Sequence, residues 1–486
     1  MCRHTISRRE LLGAGLGAAA GLIAGPSLLS ALTPGATPVA KSVNDLDVAL
    51  KAARWIRRSR IETKNGVTWP ADPLKPDSVG YDLYNGMPGV ILLHLELFDA
   101  TGDRSWLDDA RLGANELTAQ LPALQSAEAS GLYDGLAGAA FVLEETHRAT
   151  GEGRYRDAAR RAIEMIHQLA KKTASGAEWS GPSATNDVIS GSAGIGLFLL
   201  WADQTVGDPP SRALALAAGR HLVEVGVPQK AGTKWALASG VTTLYPNFSH
   251  GTAGVGFFLA KLFEATSDTS MYAATLSAAR YLEAVAATDG GKFKVFHHEP
   301  GGEELYYLSW CHGPAGTARL FAQLAQIARR DKWNGLVEQC AGAAIAAGVP
   351  ETQSAGYWNN ISQCCGNAGV GEFFISLQRT MPNAAYADMV QRVSANTLAR
   401  ATADGDGLKW IQAENRVSPQ AVVAQTGFMQ GAAGVGTYFL HADALAKGRQ
   451  PSIRWPDAPS TGQCATPAGQ ATLDMSHLAG GKRPVC

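Results

Sequence analysis

Three sulfurs and the glycines beside them carry the chemistry that this sequence offers. Cys364 and Cys365 are adjacent in the string QCCGNAG, and Cys311 stands 53 residues before Cys364 in SWCHGPAG. Thiolates are soft ligands, and three of them form a strong set for a zinc ion (Zn2+). Three protein ligands leave the fourth tetrahedral corner to water or substrate, the pattern of a catalytic site rather than a closed structural one. A disulfide or a structural zinc is the competing use, and the adjacent pair Cys364 and Cys365 is poorly placed for an ordinary bridge. His312, next to Cys311, adds either an acid–base group or a hydrogen bond that steadies its loop, and the second use is expected. His297, His298 and Glu299 also offer ligand atoms, but between Phe296 and Pro300 they read as a rim loop short of a full ligand set. Asp82, Asp134 and Glu372 lie near glycine pairs and raise a different chemistry, the acid and base of an (α/α)-barrel glycosidase. Such an enzyme needs a carboxylate pair and makes no use of converging thiols.

Residues this far apart need a scaffold that returns the chain to one place, and a repeat supplies it. A Gly-x-x-Gly pair opening an apolar run recurs seven times, at Gly86/Gly89, Gly135/Gly138, Gly191/Gly194, Gly251/Gly254, Gly313/Gly316, Gly366/Gly369 and Gly431/Gly434, with first glycines 49 to 65 residues apart. Four copies lengthen to G-x-x-G-x-G, but no strand or βαβ context surrounds them, so a dinucleotide-binding loop is excluded. Each pair leads into a segment apolar on nearly every face, such as VILLHLEL from Val90, GLFLLW from Gly196 and FFLAKLF from Phe257, which is the pattern of a buried helix. Between them lie amphipathic segments. One places Tyr155, Ala158, Ala159, Ala162, Ile163 and Ile166 on one face, with Arg154, Asp157, Arg160 and Glu164 facing away. Thr101-Gly102-Asp103, Thr150-Gly151-Glu152 and Met381-Pro382-Asn383 mark turns between inner and outer members.

Seven inner helices are matched by only six following outer ones, and the missing partner stands at the front. There Leu46, Ala49, Leu50, Ala53 and Ile56 form a stripe behind the candidate N-cap Asn44. The expected fold is therefore all-α, an (α/α)7 toroid of seven inner and seven outer helices over residues 41–450, with the glycine loops gathered on one face around a central cavity. Glycine suits these loops because close backbone approach and unusual dihedrals tolerate no side chain.

Aligned on the first glycine, the preceding residue is Asn85, Asp134, Ser190, His250, His312, Cys365 and Gln430 in turn. Consecutive loops are neighbours around a ring, so Cys311 in the fifth can meet Cys364 and Cys365 in the sixth. At this point the sequence resembles the lanthionine synthetase C-like cyclases. NDVISGSAG around Asp187, FSHGTAG around His250, SWCHGPAG and QCCGNAG carry the resemblance, which covers essentially the whole chain after its first 40 residues. It implies an α-toroid whose zinc, on Cys311, Cys364 and Cys365, activates a cysteine thiol for addition to a dehydroalanine or dehydrobutyrine. It also assigns proton transfer to His250 with Asp187 assisting. Most members show Cys-His-Gly at the last motif, whereas this chain has Cys-Cys-Gly, like a subset whose zinc has three cysteine ligands. The third thiolate makes the centre more electron-rich and the bound sulfur more nucleophilic. Two further departures are His312, where the family usually has tyrosine, and Tyr307, where bacterial members often have arginine. No dehydratase region precedes the ring, so dehydroamino acids are expected from elsewhere.

Bulk properties fit a ring and exclude other classes. Lys plus Arg (42) balances Asp plus Glu (43), which argues against a nucleic-acid partner. The partner expected from the site is a cysteine-containing peptide or a small thiol. Ser7-Arg8-Arg9-Glu10-Leu11-Leu12, followed by a Gly/Ala-rich apolar run, reads as a twin-arginine export signal over residues 1–40, and no later stretch is apolar enough to span a bilayer. Export with the metal already loaded would protect three thiolates from oxidation. Of the other cysteines, Cys2 belongs to the signal and Cys340 to a helix core. Cys464 and Cys486 fall in a Pro/Gly-rich tail, residues 451–486, that is expected on the surface and could close a disulfide. Two activities remain open: a thioether-forming enzyme, or an exported zinc toroid that binds peptides or thiols without turnover.

Overall fold

Asn44 starts the first helix, α1 (Asp45–Arg58), by accepting the Asp47 N–H on its side-chain oxygen at 3.2 Å. The computed structural model describes residues 43–179, 185–328 and 331–460. After α1 come six helical hairpins: α2 (Met87–Thr101) with α3 (Arg104–Gln120), α4 (Leu136–Thr150) with α5 (Gly153–Leu169), α6 (Ser192–Thr205) with α7 (Pro209–Glu224), α8 (Thr252–Thr266) with α9 (Thr269–Val285), α10 (Pro314–Ala328) with α11 (Asp331–Ala346), and α12 (Asn367–Thr380) with α13 (Ala384–Ala399). The last helix, α14 (Ala432–Ala446), ends the series.

Pattern decides which helices go inside. In α2 every residue from Met87 to Leu97 is buried, whereas α5 buries only Tyr155, Ala158, Ala159, Ala162, Ile163 and Ile166 and exposes Arg154, Asp157, Arg160 and Glu164. The even-numbered helices pack side by side in chain order, and α14 returns to pack on α2, so the inner ring closes. Helix α1 packs on α14 as the seventh outer helix, as its stripe predicted. Cys340, expected in a helix core, is buried in α11.

The glycine loops are locked together by their backbones. Two residues before the first glycine, or three at Val188, each loop takes part in a hydrogen bond with the next: Tyr84 N–H to Tyr133, Tyr133 to Ile189, Val188 to Ser249, Ser249 to Cys311, Cys311 to Cys364, Cys364 to Met429, and Met429 back to Tyr84. This annulus of seven bonds of 2.7–3.1 Å fixes the order of the loops. The glycines are required here for space alone. A Cβ on Gly251 would lie 1.7 Å from the Tyr245 carbonyl oxygen, and one on Gly316 would lie 1.9 Å from that of Trp310. None of the seven pairs has a positive φ, so the expectation of unusual dihedrals in these loops is corrected.

Two further features differ from the purely helical picture. Five short two-stranded hairpins link outer helices and loops among the described residues. Four of them lead into a tryptophan in a repeated Gly-x-x-Trp string, at Trp69, Trp179, Trp235 and Trp410. The indoles of Trp179, Trp235 and Trp410 donate to Ile166, Leu222 and Thr397 in the last turn of an outer helix, at 2.8, 2.6 and 2.8 Å. The second feature is the chain after α14. Residues 451–460, expected on the surface, run into the ring instead, with Ile453 and Asp457 buried and Trp455 stacked on Phe428 at a ring separation of 4.4 Å. An axis lined by aromatic rings has to be filled, and this segment supplies the volume. The export signal and Cys464 and Cys486 lie outside the described residues. No helix among the described residues is long and apolar enough to cross a membrane.

Candidate metal centre

Cys311 and Cys364 occupy the same position in adjacent repeats, two before the first glycine, and the Cys311 N–H donates to the Cys364 carbonyl at 3.0 Å. That bond brings their side chains to one point, and Cys365 follows. Cys311 Sγ lies 3.2 Å from Cys365 Sγ, which lies 3.4 Å from Cys364 Sγ, and all three sulfurs are within 4.8 Å of one another. Disulfide sulfurs are about 2.05 Å apart. Sulfurs sharing a tetrahedral zinc at about 2.3 Å would stand about 3.8 Å apart, so the observed spacing fits a common metal far better than a bridge. Among the described residues this is the one group of three or more His, Cys, Asp or Glu side chains close enough to hold a metal ion.

The electrostatics point the same way. Hydrogen bonds from Cys311, then Cys365, hold the Cys364 thiol well below its usual value. Burial, followed by the neighbouring Cys364, pushes Cys311 up, and hydrogen bonds to Cys311 and Cys364 push Cys365 up. Packed together, the three sulfurs oppose one another's ionisation, and a divalent cation is what would favour the thiolate form of all three. Tyr84 adds an outer contact: its hydroxyl donates to Cys364 Sγ at 3.1 Å and accepts from Gln430 Nε2 at 3.1 Å.

Loops three and four place the imidazole. Asp187 accepts the Ser190 N–H on Oδ1 at 3.0 Å, which shapes its own turn, and holds His250 Nδ1 with Oδ2 at 2.6 Å. Burial pulls the His250 pKa down, but the hydrogen bond and charge of Asp187 outweigh it, so the net shift is upward. With Nδ1 engaged, Nε2 is the nitrogen free for chemistry. Asp134, in loop two, is pushed up to about 7 by burial, against a hydrogen bond from Ser190 and with help from the charges of Asp187 and Asp82.

The remaining candidates separate. His312 was expected to hydrogen-bond its loop, and it does not: neither ring nitrogen has a partner among the described residues, and the ring stacks on His297 at 4.2 Å. His297 Nδ1 meets His298 Nδ1 at 2.8 Å, while Glu299 turns away to Lys234 at 2.7 Å and Tyr281 at 3.0 Å, so these three form no ligand set. Tyr307 packs on His297 at 4.3 Å. The carboxylates considered for glycoside chemistry are engaged separately. Asp82 accepts the Asn85 N–H at 2.8 Å, Asp134 holds Ser190, and Glu372 binds His441, which also holds Glu96. Tyr84 and Gln430 were not singled out from sequence, although they stand in the same two loop positions as Cys364 and Cys365.

A family model described as lanthionine synthetase C-like protein matches residues 77–458. The chain belongs to that family. Among solved structures it is similar to nisin cyclase, with a TM-score of 0.57 and 15% identity over 83% of this chain and 94% of that one. At that identity the likeness concerns the lanthionine synthetase C-like fold. Weaker likenesses are to an α-1,6-mannanase of Salegentibacter sp. HEL1_6 (TM-score 0.44, 15% identity, 83% of this chain and 100% of that one) and an unsaturated glucuronyl hydrolase of Bacillus sp. GL1 (TM-score 0.45, 12% identity, 83% and 96%). No curated protein matches the chain.

Proposed function

We propose that this lanthionine synthetase C-like chain is a zinc enzyme that adds a cysteine thiol to a dehydroamino acid, closing a thioether on a peptide. The observation that carries the reading is the meeting of Cys311, Cys364 and Cys365 within 4.8 Å, in a ring that also holds His250 on Asp187 at 2.6 Å. Zinc on three thiolates, when bound, would make a substrate thiol acidic enough to be a thiolate at neutral pH. The chain's own groups do the rest. As sulfur bonds to the β-carbon, the double-bond electrons move toward the α-carbon and its carbonyl, and the α-carbon must then take up a proton. His250 delivers it from Nε2, with Asp187 holding the ring and stabilising its charged form. Tyr84 keeps its proton because burial and the Cys364 charge raise its pKa, so it remains a donor to Cys364 and moderates the negative charge there.

The family match and the fold shared with nisin cyclase support a cyclase, with a cysteine-containing peptide as the expected partner and a small thiol as the alternative. Export by the twin-arginine route is proposed with it, because metal loading before translocation suits a three-thiolate centre. The test is a purified protein of known metal content mixed with a peptide bearing one cysteine and one dehydroalanine. Loss of free thiol with no change in peptide mass is expected. Tight peptide binding with no thiol loss would instead mark a zinc toroid without turnover.

A further inference from the structure

Ring proteins of this kind have two faces, and the loops account for one. We propose that residues 451–460 are a plug that seals the ring from the other face and positions the metal centre through Tyr133 and Phe428. The placement follows from the contacts. Trp455 packs on Phe428 of loop seven and on Phe141 of α4 at 5.4 Å. Asp457 accepts from Arg319 of α10 at 2.9 Å, and Ser460 bonds to Lys261 of α8 at 2.7 Å. These partners belong to the seventh, second, fifth and fourth repeats, and only the axis of a closed ring is near them all. Depth is legible too. Phe141 and Arg319 each lie five residues into an inner helix and Lys261 nine, which is about 7 and 14 Å from the loop end at 1.5 Å per residue. The chain therefore climbs from the end of α14 to just beneath the loops at Trp455 and descends again toward Ser460.

Two lines of contact run from the plug to the sulfurs. Asp457 Oδ2 accepts the Tyr133 hydroxyl at 3.0 Å, and the Tyr133 ring meets Trp310, the residue before Cys311, edge-on at 5.3 Å. Tyr133 also accepts the Tyr84 N–H at 2.8 Å in the annulus, and the Tyr84 hydroxyl reaches Cys364 Sγ. On the other side Trp455 supports Phe428, whose neighbour Met429 accepts the Cys364 N–H at 3.1 Å. Asp457 is only 2% exposed, so its carboxylate is committed to Tyr133 and Arg319. With the axis filled, reagents reach the thiols from the loop face alone, and the loops bearing Cys311 and Cys364 rest on a fixed floor. The positioning half of this inference rests on the metal reading above; the sealing half does not.

The test uses the full chain. In reduced, metal-free protein, Trp455→Ala is expected to speed alkylation of Cys311, Cys364 and Cys365 several-fold, with the sites located by peptide mass spectrometry. In cobalt-loaded protein, Asp457→Ala is expected to alter the thiolate-to-cobalt absorption and raise metal release about tenfold, the scale on which outer partners act on metal sites. Asp457→Asn, which still accepts from Tyr133, should restore most of both. Tyr133→Phe should reproduce Asp457→Ala without adding to it. Alkylation rates unchanged in Trp455→Ala, whether or not its melting temperature falls, overturn the seal. Should Trp455→Ala not fold, the alkylation comparison is made with Trp455→Phe and Asp457→Ala, and equal rates there overturn it as well. An unchanged cobalt spectrum and release rate in Asp457→Ala overturn the positioning. A protein that takes no metal in any form defeats the zinc reading, and the alkylation rates still decide whether the ring is sealed.

Discussion

Two arcs of the loop ring use one backbone device for opposite chemistry. In loops five and six the annulus presents Cys311, Cys364 and Cys365; in loops one to three it presents Asp82, Asp134 and Asp187. In the sulfur arc, burial and the neighbouring sulfurs push Cys311 and Cys365 up while their hydrogen bonds hold Cys364 down, a setting that a metal would suit. The carboxylate arc meets the same problem with a proton, since Asp134 is held up near 7 beside Asp82 and Asp187. His250, in loop four, stands between the arcs. It is hydrogen-bonded to Asp187 on one side and feels the charge of Cys364 on the other. A ring that sets three thiols against three carboxylates, with an imidazole at the junction, would separate the thiol-activating and proton-delivering halves of the proposed reaction.

The comparison breaks most sharply at the sulfurs. Cys365→Ala should lower zinc affinity by more than about a hundredfold, beyond the range of outer-shell changes. Asp134→Asn should leave metal content as it was. Full zinc in the Cys365→Ala protein, by metal analysis after dialysis, would falsify the ligand assignment. At the junction, His250→Ala should lower turnover by about 10²–10⁴-fold with zinc retained, the usual contribution of a positioned acid–base group. Equal loss of metal and activity in that variant would make His250 a structural residue.

The carboxylate arc is tested by pH. Asp134 has a folded pKa of about 7 against 3.8 in the unfolded chain, so the folded state binds its proton more tightly. Its contribution is fully present below about pH 4 and is lost as pH rises through about 7, on the order of 4 kcal/mol. Asp134→Asn keeps the neutral form and should remove that slope. Glu145, raised to about 7, and Asp45, raised to about 6, titrate in the same window, so the difference between variant and parent is the quantity to measure. Urea midpoints of metal-free protein from pH 4 to 8 supply it, and parallel curves would place the Asp134 proton elsewhere.

Much of this was legible in the sequence because it follows from period and spacing. Seven glycine pairs and alternating burial gave the ring, and the stripe behind Asn44 gave its closing helix. Neighbouring loops then brought Cys311 to Cys364 and Cys365. The features that escaped are those in which side chains meet by folding and not by period. Tyr84 reaches Cys364 across a gap of 280 residues, and Asp457 reaches Tyr133 across 324. The Gly-x-x-Trp hairpins are different, since Trp69, Trp179, Trp235 and Trp410 do repeat in the sequence. Their strands are two or three residues long, too short for an alternating pattern to stand out against helical periods. Composition misled only at the tail: proline and glycine after Pro451 suggest a surface segment, but Trp455 and Ile453 are what the axis needed.

The smallest effect is expected where the two arcs share a rim, at His312. Burial holds its imidazole well below the usual pKa, with the nearby His297, His250 and His298 adding to the shift, so it is neutral at physiological pH. Neither ring nitrogen has a partner among the described residues, and the ring lies against His297 at 4.2 Å and Tyr307 at 5.4 Å. A neutral, unpartnered ring does the work of an aromatic side chain and leaves two polar atoms unsatisfied. His312→Phe should therefore change stability by less than about 1 kcal/mol, in either direction, because lost desolvation cost offsets the added ring volume. Zinc content should be unaffected and turnover should change no more than a few-fold. A collapse of turnover at normal stability and metal content would instead put His312 in the proton path, and would move the acid–base group from the carboxylate side of the ring to the sulfur side.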